Sequence, residues 1–112
     1  SMRVVITGAE GAGKTKRARF LLKAWGSRAV LVISKDLARA RSEFQDVTEW
    51  FQVAQPGDAH VAVGAAPREC VVVVEADSIS RREHVKAVSR LCLLEVLVGI
   101  EVVLNLTLPL FR

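Results

Sequence analysis

The strongest constraint on this chain is the order of its opening segments: a β-branched run, a loop with glycine at positions 8, 11 and 13, and then an amphipathic helix. Arg3-Val-Val-Ile-Thr7 has no polar alternation, which suits a strand buried on both faces of a parallel sheet. From Lys14 onward Ala18, Leu21, Leu22 and Trp25 recur at helical spacing, with Lys16, Arg17, Arg19 and Lys23 between them, and Gly26 ends the helix. A strand that turns through a glycine loop straight into a helix opens a βα unit. The expectation is therefore an α/β protein whose parallel sheet is covered on both sides.

The rest of the chain repeats the unit. Ala29-Val-Leu-Val-Ile33 reads as a second buried strand, with Ser34-Lys35-Asp36 at its carboxyl end, where ligands collect in open α/β sheets. Asp36 is placed to cap the next helix. Residues 37–54 read as helix in two pieces, the second opened by Asp46 with Glu49 in a capping-box pattern. Pro56-Gly57-Asp58 is a turn, and 59–65, with Val61 and Val63 alternating, reads as a short edge strand or a loop. Cys70-Val-Val-Val-Val74 is the clearest strand, delivering Glu75-Ala76-Asp77 to the same sheet edge as the glycine loop. Ser80 and Glu83 form a capping box for a long helix with Val85, Val88, Leu91 and Cys92 on its apolar face, continuing to Val98 and stopped by Gly99. Ile100-Glu-Val-Val-Leu104 is expected as a fourth strand, with Asn105 and Thr107 at its exit. The implied architecture is a three-layer α-β-α sandwich with a mostly parallel sheet and right-handed crossovers.

At 112 residues the chain has the size of one domain, expected over 3–112, and the leading Ser-Met pair reads as a remnant of an expression tag. Apolar residues make up 51%, slightly above the usual range, so some apolar surface is expected to be covered by a partner such as another copy, giving a homo-oligomer. The richest stretch, Leu91 to Leu106, is interrupted by Glu95, Gly99 and Glu101, which argues against membrane insertion. Net charge is +4 and eleven of the sixteen basic residues are Arg, which favours phosphate or carboxylate contacts and makes nucleic acid a candidate partner. Cys70 and Cys92 lie in apolar runs without metal-ligand spacing, as expected of reduced thiols in a cytoplasmic protein.

Gly8-Ala9-Glu10-Gly11-Ala12-Gly13-Lys14-Thr15 matches the Walker A pattern at every defined position, between a strand and a helix as that pattern requires. Its glycines let backbone N–H groups curl toward a phosphate chain, and the helix start adds its positive dipole end. In that role residues 8 to 16, Lys16 included, form the nucleotide site. Lys14 meets the terminal phosphates and the Thr15 hydroxyl meets Mg²⁺. The four valines leading to Glu75 and Asp77 look like a Walker B strand. Glu75 is favoured for the metal by its distance after the valine run, with Asp77 as its alternative or as the group that orients the attacking water. Asn105 is a candidate bridge between phosphate and water. Arg81, Arg82 and Arg112 are candidates for a charge-stabilising arginine acting across a subunit boundary, Lys35 and Asp36 for contacts with nucleotide or a coupling partner, and His60 and His84 read as surface residues.

With these motifs in this order, the chain resembles P-loop ATPases of the additional-strand division, and within them a small motor ATPase of the recombinase A or FtsK–HerA kind. The resemblance covers nearly the whole core, and Walker A is its specific part. It implies the P-loop NTPase fold, Mg²⁺-dependent ATP hydrolysis, assembly into rings or filaments, and work on nucleic acid or another polymer. Lys14, Glu75, Asp77 and Asn105 are the expected catalytic set. A nucleotide or metabolite kinase and a nucleotide-binding regulatory module with little turnover are the competing readings. A guanine-reading Asn-Lys-x-Asp is missing at Asn105-Leu-Thr-Leu, which argues against a GTP switch.

Overall fold

The structure, a computed structural model, describes residues 2–67, 69–75 and 94–99. They form five strands and three helices in the order β1 (Met2–Thr7), α1 (Lys14–Ala24), β2 (Ala29–Ile33), α2 (Leu37–Phe44), β3 (Trp50–Ala54), α3 (Ala59–Ala65), β4 (Val71–Glu75) and β5 (Leu94–Gly99). A 3₁₀ turn over Pro56–Asp58 leads into α3. All five strands join one sheet in the order β1-β5-β4-β2-β3, and every pairing is parallel. The strand ends that carry Thr7, Ile33, Ala54, Glu75 and Gly99 therefore share one edge.

Burial follows from the strand sequences. β2 is buried at all five positions and β4 at its four valines, as unbroken apolar runs in the middle of a covered parallel sheet should be. Alternate residues point to opposite faces and build two cores. One contains Ala18 and Leu22 of α1, Ala40 and Phe44 of α2, and Val30, Val32, Val71 and Val73 of the sheet. The other contains Ala59 and Val63 of α3 with Leu31, Ile33, Val72 and Val74. Helices thus cover both faces. Connections that share one hand place their helices on one face when they run one way along the sheet and on the other when they reverse. The steps β1 to β2 and β2 to β3 run one way, whereas β3 to β4 runs back, in agreement with the placement of α3.

The boundaries at the two ends of α1 follow from local chemistry. Gly13 occupies the left-handed region at the N-cap, and Gly26 does so just past the last turn, where its N–H and that of Ser27 close on the carbonyls of Lys23 and Leu22. Asp36 caps α2 as expected, its carboxylate accepting from the Arg39 N–H at 3.1 Å.

Three sequence expectations are corrected. The second helical piece within 37–54 is instead strand β3. Asp46 does not open a helix but pairs with Arg19 at 2.7 Å, and Trp50, Phe51 and Val53 are residues that prefer a pleated, half-buried surface. Segment 59–65 is helix α3 rather than an edge strand or loop. Ala59 and Val63, four apart, are buried, whereas Val61 is 64% exposed, so the alternating valines do not share a face. Finally, 94–98 does not extend a helix up to Gly99: Leu94–Gly99 is the strand β5, inserted between β1 and β4. A short apolar run carries no period that separates a central strand from a buried helix. The sheet also starts one residue earlier than expected, at Met2. The helix expected from Ser80, the strand over Ile100–Leu104 and Cys92 lie outside the described residues. Among the described residues no helix is long and apolar enough to cross a membrane.

Candidate functional site

The glycine loop leaves β1 at Thr7 and enters α1 at Lys14, on the sheet edge where all strands end. Gly8, Gly11 and Gly13 have φ of 154°, 79° and 91°, conformations that side-chain-bearing residues adopt only with strain. At Gly8 a second restriction applies. A Cβ there would lie 3.3 Å from the Ala12 Cβ and 3.6 Å from the Lys14 Cγ, so the missing side chain is the space through which Lys14 folds back. The Lys14 ammonium donates to the carbonyls of Gly8 and Ala9, both at 2.9 Å, and so lies over the loop rather than in solvent.

Within the loop the Ala12 N–H closes on the Ala9 carbonyl at 3.1 Å. The helix ladder first closes at Arg17, whose N–H reaches the Gly13 carbonyl at 3.0 Å. The N–H groups of Lys14, Thr15 and Lys16 thus belong to the first turn, whose donors have no partner in their own helix. Together with the α1 dipole they make the loop an electropositive cradle for an anion. Glu10, Gly11, Ala12 and Gly13 are exposed along it, Lys14 and Thr15 are half-buried at the start of the helix, and Lys16 is exposed.

Glu75 ends β4 at the same edge. With β5 between β4 and β1, Glu75 and the base of the loop are two strand spacings apart, roughly 10 Å. Register sets its near neighbour: Ile33 is level with Val74, which brings Ser34 level with Glu75. Ser34 is fully buried; its hydroxyl donates to Glu75 Oε1 at 2.5 Å and accepts the Asp36 N–H at 3.0 Å. The guanidinium of Arg39, in the first turn of α2, donates to the same Oε1 at 2.5 Å and to Glu43 Oε1 at 2.9 Å. Its Nε lies 3.6 Å from Asp36 Oδ2. The hydrogen bond to Glu75 raises the Arg39 pKa above its already high ordinary value, so this cation is permanent.

The structure thus places the electropositive loop at 8–16 and the acid at 75 on one edge of the sheet, two strand spacings apart. Asp77, Asn105, Arg81, Arg82, Arg112 and His84 lie outside the described residues. Lys35 and His60 are exposed, and Asp36 serves as a helix cap. Two residues at this edge were not singled out as site residues from the sequence. Ser34 was signalled only by standing directly after a buried strand. Arg39 had no distinguishing mark among eleven arginines; its position three residues after the Asp36 cap is informative only once β4 is known to lie beside β2. No protein-family model matches the chain, and no curated protein or solved structure matches it.

Proposed function

We propose that the chain is a Mg²⁺-dependent ATP-binding protein and an ATPase with the P-loop NTPase fold, working as an oligomer on nucleic acid or another polymer. The observation that carries this reading is the cradle itself: three glycines at positive φ, the first-turn N–H groups of α1, and Lys14 folded across the opening. The strand order adds support. A strand lies between the glycine-loop strand and the acid-tipped strand, as the name of the additional-strand division describes.

A bound triphosphate takes the loop N–H groups as hydrogen-bond donors. Lys14 then exchanges the Gly8 and Ala9 carbonyls for phosphate oxygens, a stronger charge-assisted pairing. The donors are fixed in advance by the backbone, so they stabilise the charge that develops on the transferring phosphoryl group without reorganising. The Thr15 hydroxyl and the Glu75 carboxylate are hard oxygen donors that would suit Mg²⁺, and both described bonds to Glu75 fall on Oε1, so Oε2 is the oxygen that would be left for the metal. When bound, Mg²⁺ neutralises charge on the terminal phosphates. Asp77 and Asn105 retain their proposed roles at the attacking water.

Phosphate release from Mg·ATP, measured for the wild type and Lys14→Ala with and without single- and double-stranded DNA, tests the reading. Release that needs Lys14 and rises with DNA is the expected result. Release unaffected by Lys14→Ala would overturn the assignment of the loop. Lys14-dependent release that ignores DNA would redirect the search to a protein or small-molecule acceptor, and tight binding without release would make the chain a nucleotide-holding module.

A further inference from the structure

The carboxylate assigned to the metal already carries a cation. Arg39 lies against Glu75 Oε1, and its guanidinium also meets Glu43 and approaches Asp36, so one positive charge serves three carboxylates at this corner of the sheet. The arrangement is specified from several sides. Asp36 both caps α2 through the Arg39 N–H and stands beside the Arg39 side chain; Glu43, one helical turn on, holds the guanidinium from α2 itself; Ser34, fully buried between β2 and the cap, fixes the orientation of Glu75. The Arg39 side chain is itself 44% exposed, so its pairings with Glu43 and Asp36 are surface ion pairs, and the sheltered partner is Glu75, only 12% exposed.

We propose that Arg39 is a positioning residue that guards Glu75: by engaging Oε1 it leaves Oε2 as the oxygen available to a metal, while its charge keeps a divalent cation from binding there until a nucleotide brings its own negative charge. The inference rests on the proposed nucleotide site. Its physical basis is that a positive charge a few ångströms from the ligand atom weakens that atom's attraction for a dication, to an extent that solvent limits at the exposed Arg39. A triphosphate on the loop supplies several negative charges and reverses that balance. Mg²⁺ then enters as Mg·nucleotide and not alone. Without Arg39, Glu75 loses its counter-ion, and its carboxylate takes up free dications more readily.

The test titrates Mn²⁺, as a paramagnetic probe, into nucleotide-free protein and reads free Mn²⁺ by electron paramagnetic resonance for wild type, Arg39→Gln and Arg39→Gln with Glu75→Gln. A fluorescent ATP analogue is titrated in parallel. Arg39→Gln is expected to bind Mn²⁺ without nucleotide about tenfold or more tightly than wild type, and the double variant is expected to return to the wild-type level. Equal Mn²⁺ affinity in wild type and Arg39→Gln, with the analogue still bound, would overturn the guarding role and leave the nucleotide site standing. If no form binds the analogue, the nucleotide site fails and the inference fails with it. Circular dichroism checks that Arg39→Gln folds, and Arg39→Met replaces it if it does not. Should neither fold, the guanidinium belongs to the fold itself and the guarding role is overturned.

Discussion

At the scale of single residues, burial decides which polar groups can do chemistry. Ser34 is buried with both sides of its hydroxyl in use, donating to Glu75 and accepting from Asp36, which is how a polar side chain survives at no solvent exposure. Cys70 is the opposite case. Its thiol is nearly inaccessible, and burial pushes its pKa from 9.0 up to about 11, partly opposed by a backbone hydrogen bond from Leu31. A thiol with so little thiolate at neutral pH is a packing group rather than a nucleophile. The folded-state value is the raised one, so the neutral thiol's contribution is fully present below pH 9.0 and is lost as pH rises toward about 11. A shift of this size corresponds to roughly 2–3 kcal/mol at most. Lysines titrate in the same window, which makes the comparison with Cys70→Ala the informative one. Urea denaturation between pH 9 and 11 is expected to show a steeper loss of stability in wild type than in Cys70→Ala, and parallel curves would contradict the buried thiol.

At the scale of elements, the sequence resolved those whose period or punctuation was unambiguous. β2 and β4 were legible as unbroken β-branched runs, and α1 as a periodic helix between two glycines. The glycine loop was legible because each of its conformational demands falls on a residue type that satisfies it. The errors share a physical cause: over five to seven residues, apolar content alone does not separate helix from strand, and tertiary pairing decides. β3 exists because β2 offers it a parallel partner from Ala29 to Ile33, and Asp46 is drawn to Arg19 and Lys23 of α1 instead of capping a helix. The Ser34–Glu75–Arg39 contact was not legible for the same reason, since it depends on β4 lying beside β2. Helix α3 gives a direct check at this scale. Val63→Ala is expected to cost about 1–3 kcal/mol by opening space in the core. Val61→Lys, at a position 64% exposed, is expected to stay within about 0.5 kcal/mol. Urea midpoints of the two variants measure both, and equal losses would restore the alternating strand.

At the scale of the whole molecule, the sheet works as a collector. Because all five strands are parallel, every strand delivers its carboxyl end to one edge, and both the electropositive loop after β1 and the acid at the end of β4 stand there. Two unlike charges are thereby held a fixed two strands apart by backbone hydrogen bonds, independently of the surface loops. A ligand that engages this edge therefore binds the folded state and has no counterpart in the unfolded chain, where the loop conformation and the strand order are both lost. Linkage then requires the ligand to stabilise the fold, by about 2.7 kcal/mol at a hundredfold excess over its dissociation constant. For a domain of this size that is on the order of 10 °C in melting temperature. Lys14→Ala removes a side chain whose bonds in the structure are to the Gly8 and Ala9 carbonyls of its own loop, so its melting temperature without nucleotide should stay close to wild type. Scanning fluorimetry with and without Mg·ATP is expected to show the upward shift in wild type and little of it in Lys14→Ala. A shift of the same size in both proteins would place the nucleotide away from the glycine loop, whereas no shift in wild type at millimolar Mg·ATP would count against nucleotide binding at this edge.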